Sequence, residues 1–250
     1  MDVVSHCPLL VGSRVCQPRA GAFAMLVVCK ATCQLTPGRL SLAPAQLGLI
    51  ENDWYWSDSP SSSMYAPSDF VPQKARADVL LVGHAYASQG LPVRSLVARL
   101  AVGGVEKSIE IVGDRAWDRD GRLVEGAPFS KMPLRYERAA GGPGTVNPVG
   151  IPADAKPDPH GHAALPNLQP VGTRVLGRAD RIEPIGFGPI APGWPARIQM
   201  LRGLASSWSY ALWQDRPLPE QLDWAYFNTA PADQQLEVLR CPPQSRSAPR

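Results

Sequence analysis

The sequence predicts a mainly β protein, an antiparallel β-sandwich or barrel-like core with long ordered Pro/Gly loops and a short C-terminal helical part. Two observations carry this. First, 27 prolines and 22 glycines make up about a fifth of the 250 residues, and neither suits a helix interior, because proline lacks the N–H and glycine costs backbone entropy. Second, the strongest apolar patterns have period two, the period of a strand with one buried face. The hydrophobic fraction of 44% is enough for a real core in a chain of this length. Residues 1–240 read as one domain and 241–250 as a flexible polar tail.

The first element is a long strand from Phe23 to Leu35. Phe23, Met25, Val27, Cys29, Ala31, Cys33 and Leu35 form an apolar face, predicted to be the core face. The alternate face turns polar at Lys30, Thr32 and Gln34. From Thr36 to Pro72 the alternation breaks and a long loop is expected, with a turn at Pro37-Gly38, an aromatic cluster at Trp54-Tyr55-Trp56 and a serine-rich stretch after it. Asp78 to Ala87 is apolar on both faces, which predicts a central strand.

Val93 to Val112 carries the clearest local signal. Gly103-Gly104 separates two alternating runs, as a two-residue hairpin requires. Counting outward pairs Val102 with Val105, Leu100 with Lys107, Ala98 with Ile109 and Leu96 with Ile111, all on one largely apolar face. Arg99 then stands diagonal to Glu106 and Glu110, which favours this register. A further turn is expected at Asp120-Gly121. A long Gly/Pro-punctuated region follows, held as ordered loops by anchors such as Leu165, Phe187, Ile190 and Trp194. Helices are expected over Leu201–Trp213 and Pro231–Arg240.

Several functional classes are disfavoured. The net charge of +3 comes from interspersed charges, with no basic run for nucleic acid. No apolar stretch is long enough for a transmembrane helix. Ala22–Cys29 is too short and too late for a signal sequence, and Val28 stands where a lipoprotein site needs a small residue, so a cytoplasmic location is expected. Five cysteines without a CxxC pair read as free, buried thiols. Cys29 and Cys33, at about 3.3 Å per strand residue, would stand roughly 13 Å apart, too far to bridge.

Catalytic signals are weak. His160 and His162, with Asp158, have metal-like spacing but sit in a proline-rich loop, so a solvated loop is expected and no metal. Cys29 with His84 is the only strand-borne nucleophile–base pair, without a nucleophile elbow around it. Gly83, Gly103 and Gly104 precede no helix and make no phosphate loop. Asp114-Arg115 is expected to close loops through charge-assisted hydrogen bonds. Trp54, Tyr55 and Trp56 fit either a stacking platform for sugar, a protein hot spot or a loop's own small core. No enzyme and no cofactor are therefore expected; the alternatives are a carbohydrate- or small-ligand-binding β-domain or an unrecognised hydrolase.

Ordered blocks of loop residues add to this reading. They are Tyr65, Ser68-Asp69-Phe70, Pro72, Lys74 and Asp78-Val79; Gly113-Asp114-Arg115 with Trp117; Phe129, Met132-Pro133-Leu134, Tyr136-Glu137-Arg138 and Gly141-Gly142; Asn147-Pro148-Val149-Gly150 and Leu165-Pro166-Asn167; and Gly186-Phe187-Gly188-Pro189-Ile190, Trp194 and Arg197. From about Phe23 to about Gln235 their order and spacing resemble a bacterial family of type VI secretion system accessory proteins, first catalogued as a domain of unknown function. Ala139-Ala140 and Leu204-Ala205 depart from it, standing where a bulky aromatic and a Thr-Tyr pair are usual. The resemblance implies a non-enzymatic adaptor or chaperone that binds an effector or a PAAR-like spike-tip protein and helps load it onto the VgrG spike. The candidates it marks for partner binding are Asp69, Phe70, Lys74, Asp114, Arg115, Trp117, Tyr136, Glu137, Asn147, Asn167, Phe187, Trp194 and Arg197.

Overall fold

The structure is a computed structural model that describes residues 3–6, 8–58, 61–204, 208, 210, 213 and 215–237. It is mainly β and antiparallel, built from several small sheets of two or three strands, none of them closed into a barrel. Strand β1 (Leu10–Arg19) pairs with β2 (Ala22–Lys30) in a long two-stranded ribbon. Strands β3 (Cys33–Thr36) and β4 (Arg39–Leu42) form a hairpin around Pro37-Gly38, where Gly38 supplies the positive φ of the turn. Strands β5 (Trp54–Tyr55) and β6 (Met64–Ala66) form another, inside the region expected to be loop.

The strand predicted over Asp78–Ala87 is two short pieces, β7 (Ala77–Asp78) and β8 (His84–Tyr86), and neither is central. Asp78 is held by side-chain bonds to Asn228 and Thr229, and Gly83 breaks the pleat with φ 156. Strands β9 (Ser95–Val102) and β10 (Val105–Val112) form the predicted hairpin in the predicted register, residue for residue. Strands β11 (Arg115–Trp117) and β12 (Leu123–Glu125) flank the Asp120-Gly121 turn. The remaining strands return to earlier ones: β13 (Lys131–Pro133) to β8, β14 (Ala163–Leu165) to β11, β15 (Leu168–Pro170) to β10, and β16 (Gln235–Leu236) to β7.

Among the described residues helix is confined to short pieces. Helix α1 (Pro195–Ile198) starts on a proline and passes into a 3-10 turn over Gln199–Leu201. It stops at Arg202 and Gly203, both at positive φ, so the predicted Leu201–Trp213 helix begins where the observed one ends. Residues 205–207, 209, 211, 212 and 214 lie outside the described residues. The described part of the predicted Pro231–Arg240 helix is a 3-10 turn (Ala232–Gln234) followed by β16. Residues 238–240 and the predicted tail 241–250 lie outside the described residues.

The buried apolar residues form three clusters. One lies under the ribbon, where Cys16, Leu26 and Val28 meet Phe70, Trp208, Leu222, Tyr226 and Phe227. The second lies under the β9–β10 hairpin, around Ile109, Ile111, Leu168 and Phe187. The third joins Met64, Tyr136, Ala191 and Trp194. The face of the first predicted strand is thereby corrected. Leu26 and Val28 point inward, whereas Phe23, Met25, Val27 and Leu35 are exposed. The strand also ends at Lys30 rather than running to Leu35, because Thr32 leaves the ladder to bond Gln46 and Ala43. Among the described cysteines Cys16, Cys29 and Cys33 are all free, but the expected burial holds for Cys16 alone, since Cys29 is exposed and Cys33 half-buried; Cys7 and Cys241 lie outside the described residues.

Candidate functional site

Most of the residues marked by the loop motifs are turned into the chain itself. Asp69 accepts from Lys30 Nζ and from the Ile50 N–H, each at 2.7 Å, and so pins β2 to the following loop. Phe70 is buried beneath the ribbon, under the Arg14 guanidinium at 4.6 Å. A Cβ on residue 12 would come within 2.8 Å of the Phe70 ring, so Gly12 makes that packing possible. Lys74 reaches Asp78 at 2.7 Å. The same carboxylate accepts from Thr229 N and Oγ1 and from Asn228 Nδ2. Asn228 in turn accepts from the N–H groups of Ala75 and Arg76. Burial alone would push the Asp78 carboxyl up, but the Lys74 ammonium and these donors outweigh it and hold the carboxyl below its ordinary range.

A second set closes the sheet ends. Asp114 accepts from Arg138 Nη1 and Asn167 Nδ2, while Arg138 Nη1 also donates to Asn167 Oδ1 at 2.9 Å. Arg115 donates to the Pro166 carbonyl and to Gln169 Oε1. Burial lowers the Arg115 pKa, against the attraction of Glu110 and Glu125. Trp117 is buried on β11. These are the loop-closing hydrogen bonds expected of an Asp-Arg pair at a strand end.

The third set surrounds Tyr136, whose OH donates to the Gly188 carbonyl at 3.2 Å and whose ring meets Trp194 edge-on at 5.0 Å. A Cβ on residue 186 would stand 2.5 Å from that ring, so glycine is required there. Glu137 receives the Ser63 N–H at 2.6 Å and the Ser63 hydroxyl at 2.7 Å. Asn147, fully buried, donates to the carbonyls of Tyr136 and Ala140. Phe187 fills the second cluster. Arg197 is only 2% exposed. Its Nε and Nη1 donate to the carbonyls of Tyr226 and Ile190, and its guanidinium lies 4.8 Å from the Tyr226 ring centre. Of the marked residues only Asp114 is exposed. Asp78, Asn228 and Thr229 are as deeply engaged as any of them. Asn228 and Thr229 carried no sequence signal, since about 150 residues of chain separate them from Asp78.

The remaining chemical candidates are dispersed. Asp158 accepts the N–H groups of His160 and His162 at 2.8 Å each. Those bonds, the one from His162 foremost, hold its carboxyl below the ordinary range. Among the described residues no group of three or more His, Cys, Asp and Glu side chains could hold a metal. Cys29 and His84 lie on separate sheets. Trp56 is clamped between the Arg135 guanidinium, 3.5 Å from its ring centre, and the edge of Tyr65. Tyr55 packs on the third cluster, and Trp54 alone of the three is exposed. A stacking platform built from Trp54 and Trp56 together is disfavoured by that clamp.

Two features face outward. One is a cleft of about 780 Å³ between the Gly141-Gly142-Pro143 loop, strand β14 and the Arg178–Pro184 segment. Its wall is more apolar than polar; among its charged groups, Asp180 accepts from the N–H groups of Leu176 and Gly177, and Arg178 donates to the Asp118 carbonyl. The other is the outer face of the ribbon. The pairing of Val15 with Met25 and of Ser13 with Val27 puts these side chains and Phe23 on one side. Phe23 is 75% exposed, and Val15, Met25 and Val27 are exposed with it. In the next hairpin Leu35 lies opposite Leu40, and both are exposed, Leu35 at 89%. Large exposed apolar groupings of this kind mark interaction surfaces more often than isolated apolar residues do.

No curated protein and no solved structure matches the chain. Residues 20–245 match a family described as "Uncharacterized protein conserved in bacteria (DUF2169)". That match spans most of the chain, from the turn between β1 and β2 to beyond β16, and the protein therefore belongs to this bacterial family.

Proposed function

We propose that this protein is a non-enzymatic adaptor that binds another protein through the outer apolar face of the β1–β2 ribbon. The observation that carries this reading is the inverted face. Phe23, Met25 and Val27 have the alternation of a core strand, yet they are exposed on a ribbon whose opposite face is already covered by the first cluster. Burying such a face against a partner is favourable by about 25 cal/mol per Å² of apolar surface removed from water. The finer part of the proposal rests on the loop-motif resemblance: the partner is a type VI secretion effector or PAAR-like spike-tip protein, held in the cytoplasm and helped onto the VgrG spike.

The test is affinity capture of the tagged protein from its native bacterium, with and without Phe23→Ser and Val27→Ser. Co-purification of an effector or spike-tip protein encoded nearby, lost in the double variant while the far-UV and near-UV spectra stay unchanged, is the expected result. Absence of any such protein, together with undiminished effector secretion on deletion, overturns the adaptor reading. A second reading, small-ligand binding, is favoured by the apolar cleft beside Gly141-Gly142. A rise in melting temperature in a ligand screen, abolished by Ala164→Trp, would support it.

A further inference from the structure

Strand β9 is the outer strand of its three-stranded sheet. Gly113 N–H donates to the Arg94 carbonyl, and with the observed register this turns the backbone groups of Leu96, Ala98, Leu100 and Val102 toward β10. Ser95, Val97, Arg99 and Ala101 therefore aim their N–H and C=O groups away from the sheet. Val93, next in that series, is closed by a reciprocal pair of bonds to Phe129, each 2.9 Å. The four that follow have no backbone partner among the described residues. The edge carries no proline or bulge, the devices that ordinarily blunt such strands. Its only charged side chain, Arg99, is turned to Glu106 of the same hairpin at 2.9 Å.

We infer that β9 pairs antiparallel with β9 of a second copy of this chain, about a twofold axis through Ala98, giving one continuous six-stranded sheet. The strand is self-complementary in this register. Ser95 meets Ala101 of the second copy and Val97 meets its Arg99, so every outward N–H and C=O is paired. A shift by one step toward Val97 brings in Val93, already bonded to Phe129. A shift the other way sets two Arg99 side chains opposite each other, which is unfavourable. On the inner face, Leu96 meets Leu100 of the second copy and Ala98 meets its counterpart. These three side chains are only half-buried at the open edge, whereas Ile109 and Ile111 beside them on β10 are fully buried. On the outer face, Arg99 falls in one row with Glu110 of the second copy, two strand spacings (about 10 Å) away, so the charges are complementary. The inference does not rest on the adaptor reading, since β9 and the ribbon lie in separate sheets.

The experiment is light scattering behind size exclusion on the full chain over a concentration series, with Val97→Pro, Val97→Glu and Val97→Lys. Wild type is expected to be dimeric. Val97→Pro is expected to be monomeric and folded, because the N–H it removes faces away from the sheet, where edge strands tolerate proline. Val97→Glu faces Arg99 twice across the axis and should tighten the dimer, while Val97→Lys should loosen it, each by roughly threefold to tenfold in Kd. A monomeric wild type at its highest soluble concentration overturns the inference and leaves the edge to a different partner. So does a dimer that survives Val97→Pro, or one whose Kd moves the same way with both charges. If Val97→Pro fails to fold, the opposed charge variants still decide.

Discussion

The β9–β10 hairpin and the β1–β2 ribbon have the same sequence logic and opposite outcomes. In the hairpin, the face read as apolar is the buried one, with Ile109 and Ile111 at 0% exposure. In the ribbon, the more consistently apolar face of β2 points outward, and the face that turns polar at Lys30 lies on the core. Alternation thus reports which face is apolar, not which face the same chain covers. The hairpin's apolar face is covered within the chain: β15 and the Ile185–Phe187 loop return to it from later in the sequence. The ribbon has aromatic residues from the C-terminal part on one side, while Val15, Phe23, Met25 and Val27 on the other stay exposed.

The largest effect separating the two regions should come from truncation. Ile109→Ala is expected to cost about 2–5 kcal/mol in urea unfolding, the range for a buried branched side chain replaced by alanine. If it costs no more than an exposed substitution, the hairpin face is not a core.

Next in size is the Asp78 junction, which ties β7 to Asn228 and Thr229. Removing one member of a buried, hydrogen-bonded charge pair costs roughly 3 kcal/mol, and Asp78→Asn should lose an amount of that order at neutral pH. The pH dependence has a definite sign. The folded-state carboxyl sits below its ordinary value, so its contribution is fully present above about pH 4 and fades as pH falls through the folded value. Wild type and Asp78→Asn should therefore converge in stability at acid pH. A gap that stays constant would show that charge at Asp78 is not what holds the junction.

The smallest stability effect belongs to the ribbon. Phe23→Ser or Met25→Ser should change unfolding free energy by no more than about 0.5 kcal/mol, as for other exposed sites. A loss of several kcal/mol in the isolated protein would mean that this face is covered within the chain, and the contrast with the hairpin would collapse.

How much was legible follows the range of the interactions. The hairpin was readable because its register depends on neighbours in sequence, with Gly103 at positive φ in the turn and Arg99 beside Glu106. The loop-closing role of Asp114-Arg115 was readable in kind but not in its partners, since Asn167 and Gln169 arrive from about fifty residues away. Asp78–Ala87 misled because an apolar run reads alike in a central strand and in an irregular segment buried by distant loops. The junction of Asp78 with Asn228 left no local trace.

By itself, the sequence determined the strand-rich class, the turns at Pro37-Gly38, Gly103-Gly104 and Asp120-Gly121, and the pairing of β9 with β10. Each of these follows from backbone preference and near-neighbour pairing, which act over a few residues. Only the tertiary structure decided which face of β2 meets the core, where the marked loop residues find their partners, and which edges and faces stay open. Those outcomes depend on what distant segments of chain cover, and coverage is a property of the assembled fold.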